Sequence, residues 1–334
     1  MSAIRVVVLT EDPDGPSVRH RWRYAAPYLE HAGVAIEILP VQPAAAREAA
    51  FEAAAAADLT VVHRKMFRWP DLRRLVAAVR DGKRRRLVFD LDDAVMYRAS
   101  GRWRQWSILR RLRFARNVGQ ASVFLAGNAY LKSQSPIRIP SVIVPTPVDL
   151  PRYRPREEWP GRARAVGWIG TASTLPYLDL VEPALRELAA NREDFVLRVI
   201  GDRAPRIDGV TVEAIPWSED GEAEALRGLD VGILPLPDDR WTRGKCAFKA
   251  LQYMATGLPV VASPVGMNRE VVTDGETGRL ATTTKEWVAA LDGLLDDAAA
   301  RERMGAAGRA RVEADFATKV VAAKTADILK GHAR

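Results

Sequence analysis

Cysteine is almost missing from this chain. Cys246 stands alone, so no internal disulfide can staple the fold, and a reducing compartment is expected. Histidine is scarce as well, and the 4 present are scattered without metal-ligand spacing, so structural zinc is not expected. No apolar run approaches the roughly 18 residues needed to span a bilayer, and the chain enters a strand pattern directly at Arg5 to Thr10. Neither a transmembrane helix nor a signal peptide is therefore expected. Solenoid-type repeats are missing, and so is the GxGxxG spacing of a dinucleotide site. What the chain does carry is positive charge: 50 Lys and Arg against 42 Asp and Glu, a formal +8, with 48% hydrophobic and 28% charged residues. That composition describes a globular protein long enough for two domains, each with its own core. The charge favours acidic partners, a class that spans nucleotides, polyphosphates, anionic lipids and nucleic acid.

Short apolar runs alternate with helical patterns along the whole length. In the first half they fall at Arg5 to Thr10, Ala35 to Leu39, Thr60 to His63, Leu87 to Leu91, Ser122 to Ala126 and Val142 to Val144. The Pro- and Arg-rich stretch Pro145 to Pro160 breaks the rhythm and reads as a linker. The alternation resumes at Ala165 to Ile169, Val196 to Ile200, Val210 to Ile215, Val231 to Leu234, Val260 to Ser263 and Gly278 to Leu280. Such spacing predicts an α/β protein with two parallel sheets, each covered by helices on both faces. The Ala-rich run Ala44 to Ala57 reads as helix, as does the last pattern near Thr318 to Leu329. Ligands of open parallel sheets bind at the C-terminal strand ends, so two such domains would face each other across an interdomain cleft.

Trp241 to Val265, WTRGKCAFKALQYMATGLPVVASPV, gathers cations where a helix is expected to begin, near Lys245. Arg243, Lys245 and Lys249 would crowd an end that the macrodipole already makes positive, at a cost of roughly 0.3 to 1 kcal/mol each. An anion placed there removes that cost. Free backbone N–H groups and adjacent lysines make a phosphate site, and Lys249 and Gln252 lie three apart on one face. A cationic surface helix is the alternative. Phe248, Leu251 and Ala255 read as core.

Other candidates follow strand ends. After the first strand, Asp14-Gly15-Pro16 makes a turn, Ser17 can cap a helix, and Arg19, His20, Arg21 and Arg23 fill its first turns, as a ligand-facing loop or as a solvated basic face. His63-Arg64-Lys65 follows the third strand, with His63 either structural or at the site. The fourth strand ends in Asp90, Asp92 and Asp93, the first two expected on one side of an extended chain and the third on the other. Three such carboxylates repel unless they bind a cation, accept hydrogen bonds from a hydroxylated substrate or cap a helix, and one is expected only to cap. Gly167 to Thr174, with Gly170 and Thr171, runs off the first strand of the second half, where small residues allow a ligand close to backbone and hydroxyls; Ile215-Pro216-Trp217-Ser218 could flank a nucleobase, or Trp217 could be a buried structural residue. Arg98 to Arg116 mixes arginines with Trp103, Trp106, Ile108, Leu109, Leu112 and Phe114, fitting either an outer helix or one lying on an anionic bilayer.

The run DVGILPLPDDRWTRGKCAFKALQYMATGLPVVASPVGMNREVVTDGETG resembles the donor-binding half of GT-B glycosyltransferases of the family 4, or group 1, type. PTPVD and FDLDDAV are similar to the same group, so the resemblance covers most of the chain. It implies a GT-B fold of two Rossmann-like domains: an acceptor-side domain over 1–147, a nucleotide-sugar domain over 148–317, and a helix over 318–334 crossing back to the first. By position, Gln252 stands at the family's second glutamate, associated with ribose hydroxyls, and Gly244 at its first, associated with the donor sugar. The usual Arg and Lys pair after the first strand of the second domain is absent from GTASTLPYL, and Lys249 with Arg243 or Lys245 takes its place.

The resemblance implies a cytoplasmic, retaining, metal-independent, hexosyltransferase-like enzyme of glycan biosynthesis that uses no cofactor besides its donor substrate. It would move sugar from a nucleoside-diphosphate-sugar to the hydroxyl of a glycan, a lipid-linked or a small-molecule acceptor. Lys249, Lys245 and Asp92 would carry the chemistry. Gly170, Thr171, Pro216, Trp217, Arg243, Cys246, Ala247, Phe248 and Gln252 would hold the donor, and Gly15, Arg19, Arg21, His63, Arg64, Asp90 and Asp93 would line the acceptor side. Peripheral contact with an anionic membrane through residues 98–116, at the inner face, is expected; nucleic acid is not. A non-catalytic nucleotide-binding or scaffold protein and a nucleotide-sugar epimerase or hydrolase are the competing readings.

Overall fold

The computed structural model describes residues 3–81, 84–99, 105–136, 138–156, 158–159 and 163–333. The chain divides into two compact units: residues 1–149, 239–246 and 316–334 form one, and residues 150–238 and 247–315 the other.

In the first unit, β1 (Ile4–Thr10), β2 (Val34–Pro40) and β3 (Leu59–His63) are followed by a short antiparallel pair, β4 (Arg80–Asp81) and β5 (Arg84–Arg85). Then come β6 (Leu87–Leu91), β7 (Val123–Ala126) and β8 (Ser141–Ile143). Six strands make one parallel sheet in the order β2-β1-β3-β6-β7-β8. Its helices are α1 (Pro16–Val18), α2 (Ala26–His31), α3 (Ala44–Ala55), α4 (Trp69–Ala78), α5 (Ile108–Val118) and α6 (Ala129–Ser133). Strand β6 is buried at every position, as a two-sided parallel strand must be. The order reverses between β1 and β3, the switch point where doubly wound sheets open a crevice at their C-terminal strand ends.

The second unit repeats the plan with β9 (Ala165–Ile169), β10 (Val196–Ile200), β11 (Thr211–Ile215), β12 (Val231–Leu234), β13 (Val260–Ala262) and β14 (Gly278–Leu280), ordered β11-β10-β9-β12-β13-β14. All neighbours are parallel, and the switch point lies between β9 and β12. Helices α7 (Glu182–Asn191), α8 (Glu222–Arg227), α9 (Phe248–Ala255), α10 (Asn268–Val271), α11 (Thr284–Asp296) and α12 (Ala298–Arg311) cover it. The core gathers Trp168, Leu185, Leu197, Val231, Ile233, Trp287 and Leu291.

The last helix, α13 (Thr318–Ala333), completes the core of the first unit: Val321, Ala322, Ala326 and Leu329 pack with Val6, Val8, Leu29 and Val61. Every strand expected of the two large sheets is present, with ends displaced by a residue at most. Three local expectations are corrected. The cation-rich helix begins at Phe248, not near Lys245: residues 242–244 form a 3₁₀ turn, Lys245 is extended, and Ala247 takes a left-handed conformation. Within the helical pattern from Arg98, the described residues 98–99 and 105–107 are not helical, and α5 begins at Ile108, where Ser107 accepts a hydrogen bond from the Arg110 N–H. Residues 100–104, including Trp103, lie outside the described residues. Ser17 lies within α1 rather than at its start, and its side chain makes no cap.

Candidate functional site

At the switch point of the first sheet the parallel register sets His63 at the end of β3 beside Asp90 on β6. Asp90 is fully buried and accepts from three side chains: Arg21 Nη2 at 2.5 Å and Nε at 3.1 Å, Trp22 Nε1 at 3.1 Å, and His63 Nδ1 at 2.6 Å. Burial opposes its charge, but Arg21 and His63 outweigh burial and hold the carboxyl well below the usual carboxylate range. Arg21 is buried with it and also donates to the carbonyl of Val144 at 3.0 Å. The two are committed to each other and to the fold, which makes them a support for His63 rather than groups open to a ligand.

Because the Asp90 carboxylate takes the Nδ1 hydrogen, His63 presents Nε2 to the Ser17 hydroxyl at 2.8 Å. The same hydroxyl lies against Asp92 Oδ2, and its one hydrogen serves only one of these two neighbours at a time. Asp92 pairs with Arg64 Nε at 3.3 Å, and Asp93 with Arg64 Nη2 at 2.7 Å and Lys245 Nζ at 3.7 Å. One guanidinium therefore reaches both carboxylates, so the expected opposite placement of Asp92 and Asp93 does not occur; the strand ends at Leu91, and alternation ends with it. Neither caps a helix, since residues 94–99 after them form none. Asp92 too is held below the usual range: burial is overcome by Arg64, His63 and Arg21. Arg64 sits at φ 58° and Ala247 at φ 51°, the two non-glycine residues with positive φ among those described. Both adjoin candidate residues, where backbone strain is commonly retained. Gly15 precedes α1, which holds Ser17, and Arg19 and His20, both buried, open the single π-helical turn over Arg19–Arg23 that follows it.

Segment 239–246 belongs to this first unit. The Asn128 amide donates to the carbonyls of Arg243 and Lys245 at 3.3 and 3.0 Å, and Cys246 Sγ donates to the Asp92 carbonyl at 3.1 Å. Burial and the nearby Asp92 push the Cys246 thiol far up, so it is a packing group and not a nucleophile. Gly244 lies on Ala94: a Cβ there would stand 2.5 Å from Ala94 Cβ. No larger side chain fits where the resembling family has its first glutamate.

At the switch point of the second sheet, Gly170 leaves β9 and Lys249 stands in the first turn of α9. Lys249 Nζ lies 4.2 Å above the Trp168 ring and 3.4 Å from Thr174 Oγ1. A Cβ at Gly170 would come 2.5 Å from that Nζ and collide with the Trp168 ring, so only glycine leaves the lysine its place. Thr171 is exposed and bonded to Ser173 at 2.8 Å. Trp217, 37% exposed after β11, donates Nε1 to Glu222 Oε2 at 2.7 Å, and Pro216 before it is exposed. Gln252 is buried one turn beyond Lys249, with its amide on Tyr153 and Glu222. Trp168 and Thr174 lie in the Gly167–Thr174 run that the sequence singles out, whereas nothing local in the sequence marks Tyr153 or Glu222.

Among the described residues no three His, Cys, Asp or Glu side chains gather as metal ligands, and no helix is long and apolar enough to cross a membrane.

Residues 164–297 match the family model "Glycosyl transferases group 1". A D-inositol 3-phosphate glycosyltransferase of Pseudarthrobacter chlorophenolicus is 30% identical over 140 residues, 41% of this chain and 32% of that protein. An MMP alpha-(1->4)-mannosyltransferase of Mycolicibacterium hassiacum is 31% identical over 199 residues, 55% of this chain and 46% of the relative. The chain spans less than half the length of these curated relatives. Sucrose-phosphate synthase from Thermosynechococcus elongatus superposes with a TM-score of 0.76 at 16% identity, covering 98% of both chains. Anabaena HepE, solved with UDP and glucose, gives 0.72 at 15%, covering 98% of this chain and 100% of its own. The fold is that of GT-B glycosyltransferases, and residues 164–297 carry the group 1 signature.

Proposed function

We propose that this chain is a retaining, hexosyltransferase-like glycosyltransferase, taking sugar from a nucleoside-diphosphate-sugar and delivering it to an acceptor hydroxyl. The observation that carries the reading is the place of Lys249: in the first turn of α9, over the Trp168 ring and beside the Gly170 backbone, at the switch point of a parallel sheet. A phosphate there meets a cation and the positive end of a helix dipole together.

In the reaction the bond between the anomeric carbon and the diphosphate oxygen breaks, and one from the acceptor oxygen to that carbon forms on the same face. The acceptor proton passes to the departing phosphate. Charge grows on that phosphate in the transition state, and a fixed ammonium with oriented N–H groups lowers the barrier without reorganisation. Lys249 and the N–H groups at Ala247 and Phe248 supply this in the second unit. Gly170 and Thr171 border it, Pro216 and Trp217 flank the base, and Gln252 meets the ribose. On this reading the leaving-group charge needs no divalent metal, and activity persists in EDTA.

The first unit serves the acceptor. His63, oriented by Asp90, and Asp92, shared by Ser17 and Arg64, position the acceptor hydroxyl, while Lys245 and Arg243 add positive potential near Asp93. The protein works in the cytoplasm and touches an anionic membrane surface through α5, where Leu109 is 76% exposed beside exposed Trp106, Ile108 and Leu112 and several arginines.

The test is thermal stability and turnover with UDP-, GDP- and ADP-sugars, for the wild type and Lys249→Ala. A ligand at 100 times its Kd adds about 2.7 kcal/mol of stability. Stabilisation by one donor that vanishes in Lys249→Ala, with turnover down roughly 10²- to 10³-fold, supports the reading. Binding without turnover in the wild type makes the chain a nucleotide-binding scaffold, and sugar release without acceptor makes it a hydrolase.

A further inference from the structure

Both N–H groups of the Gln252 amide are in use. Nε2 donates to the Tyr153 hydroxyl at 3.0 Å and to Glu222 Oε1 at 2.7 Å, and the same Oε1 accepts from the Tyr153 hydroxyl at 2.5 Å. Gln252 is 3% exposed and Tyr153 1%. An amide side chain can turn over, exchanging its oxygen for its nitrogen with almost no change of shape. Here that is forbidden. A carboxylate only accepts, so the amide nitrogen must face Glu222; turned over, two acceptors would meet with no hydrogen between them. Glu222 is braced from its other oxygen by Trp217 Nε1 at 2.7 Å, and the Tyr153 backbone carbonyl accepts from Arg309 Nη1 at 2.6 Å. Burial, and then the adjacent Glu222, push the Tyr153 hydroxyl far above its ordinary value, so it remains a donor. With its hydrogens spent, Gln252 has one hydrogen-bonding atom left, the acceptor Oε1.

The place of that acceptor decides what it reads. Gln252 stands three residues beyond Lys249 on α9, and its partner Glu222 is bonded to the exposed Trp217. A nucleoside diphosphate with its phosphates at Lys249 and its base at Trp217 puts its pentose between them, where the hydroxyls need acceptors.

We propose that Glu222, together with Tyr153, is a positioning residue that locks Gln252 as a permanent hydrogen-bond acceptor for the ribose hydroxyls of the donor nucleotide, keeping the negative charge one residue away from the sugar. This rests on the donor reading given above. It assigns ribose selectivity to a residue on α8 that need not itself touch the ligand.

The experiment is calorimetric titration of the full chain with UDP, GDP and ADP, each against its 2′-deoxy and 3′-deoxy counterparts. The proteins are the wild type, Glu222→Gln, Tyr153→Phe, Gln252→Glu, and the exchanged pair Glu222→Gln with Gln252→Glu. The wild type should prefer one ribonucleotide over a deoxy counterpart by 10-fold or more. Glu222→Gln, which lets Gln252 turn over, should bring that ratio to 3-fold or less at a Tm within a few degrees of the wild type. Tyr153→Phe keeps the charge but frees one N–H, and should lower the ratio partway, a second reading should Glu222→Gln fail to fold. Gln252→Glu alone sets two carboxylates against each other and should bind poorly, while the exchanged pair should recover the 10-fold ratio. A folded Glu222→Gln with the wild-type ratio, or a wild type that binds nucleotides with no ribose preference, overturns the positioning role and leaves the donor reading standing. A folded wild type that binds none of the nucleotides overturns the donor reading, and this proposal with it.

Discussion

Asp90 takes hydrogens from an arginine, a tryptophan and a histidine without contact with water, so its removal strands all three. Breaking such a buried pair from one side costs about 3 to 5 kcal/mol, and urea titration of Asp90→Asn should show a loss of that size. The pH dependence follows in sign. The unfolded carboxyl protonates near pH 4 and the folded one only well below, so the pair's contribution is complete above about pH 4 and is lost as pH falls toward the folded value. Asp90→Asn should flatten the acid limb of the stability curve, and a mutant with the wild-type slope would contradict the assignment. Gly244 offers a second check. Gly244→Glu should destabilise by about 1 to 3 kcal/mol, because the side chain enters the space of Ala94, and should not raise donor affinity. From sequence alone Asp90, His63 and Arg21 were legible as neighbours of the same strand ends. Their division of labour was not, because burial decides which charges serve the fold, and burial depends on contacts 69 residues apart in the chain.

Among the elements, the strands were the most legible. Parallel strands buried on both faces read as near-continuous apolar runs: Val231–Leu234 is nothing else, and Leu87–Leu91 is interrupted only by Asp90, whose charge is paired. Helix starts were harder to place. The cations before α9 suggested a start near Lys245, but those residues follow Asn128 and the loop after β6, and one left-handed residue, Ala247, redirects the chain into the helix. Helix α5 presents the opposite case: amphipathic from its sequence, it leaves Leu109 and Leu112 exposed while Phe114 and Val118 face the core. Leu109→Ser with Leu112→Ser should change stability little, since neither side chain is covered, and should abolish sedimentation with vesicles containing phosphatidylglycerol at low salt. Equal sedimentation of mutant and wild type would remove α5 as a membrane contact.

On the scale of the whole molecule, the chain passes between its two units four times, and the first unit is assembled from three separate stretches. A fragment of residues 1–149 lacks Val321, Ala322, Ala326 and Leu329, which close its core over Leu29 and Val61. It should be unfolded or aggregated by circular dichroism. Adding a peptide of residues 316–334 should recover part of the native signal, and a fragment that folds unaided would show α13 to be dispensable. The same arrangement bears on synthesis at the ribosome. The six-stranded sheet of the first unit emerges early, but the helix that seals it leaves the exit tunnel only after residues 150–315 have been made. At about 5 to 20 residues per second the wait is on the order of ten to thirty seconds. Through that interval the nascent chain exposes the apolar face meant for α13, so it should be a client of ribosome-associated holdases, and stalling translation ahead of residue 316 should trap it in their keeping.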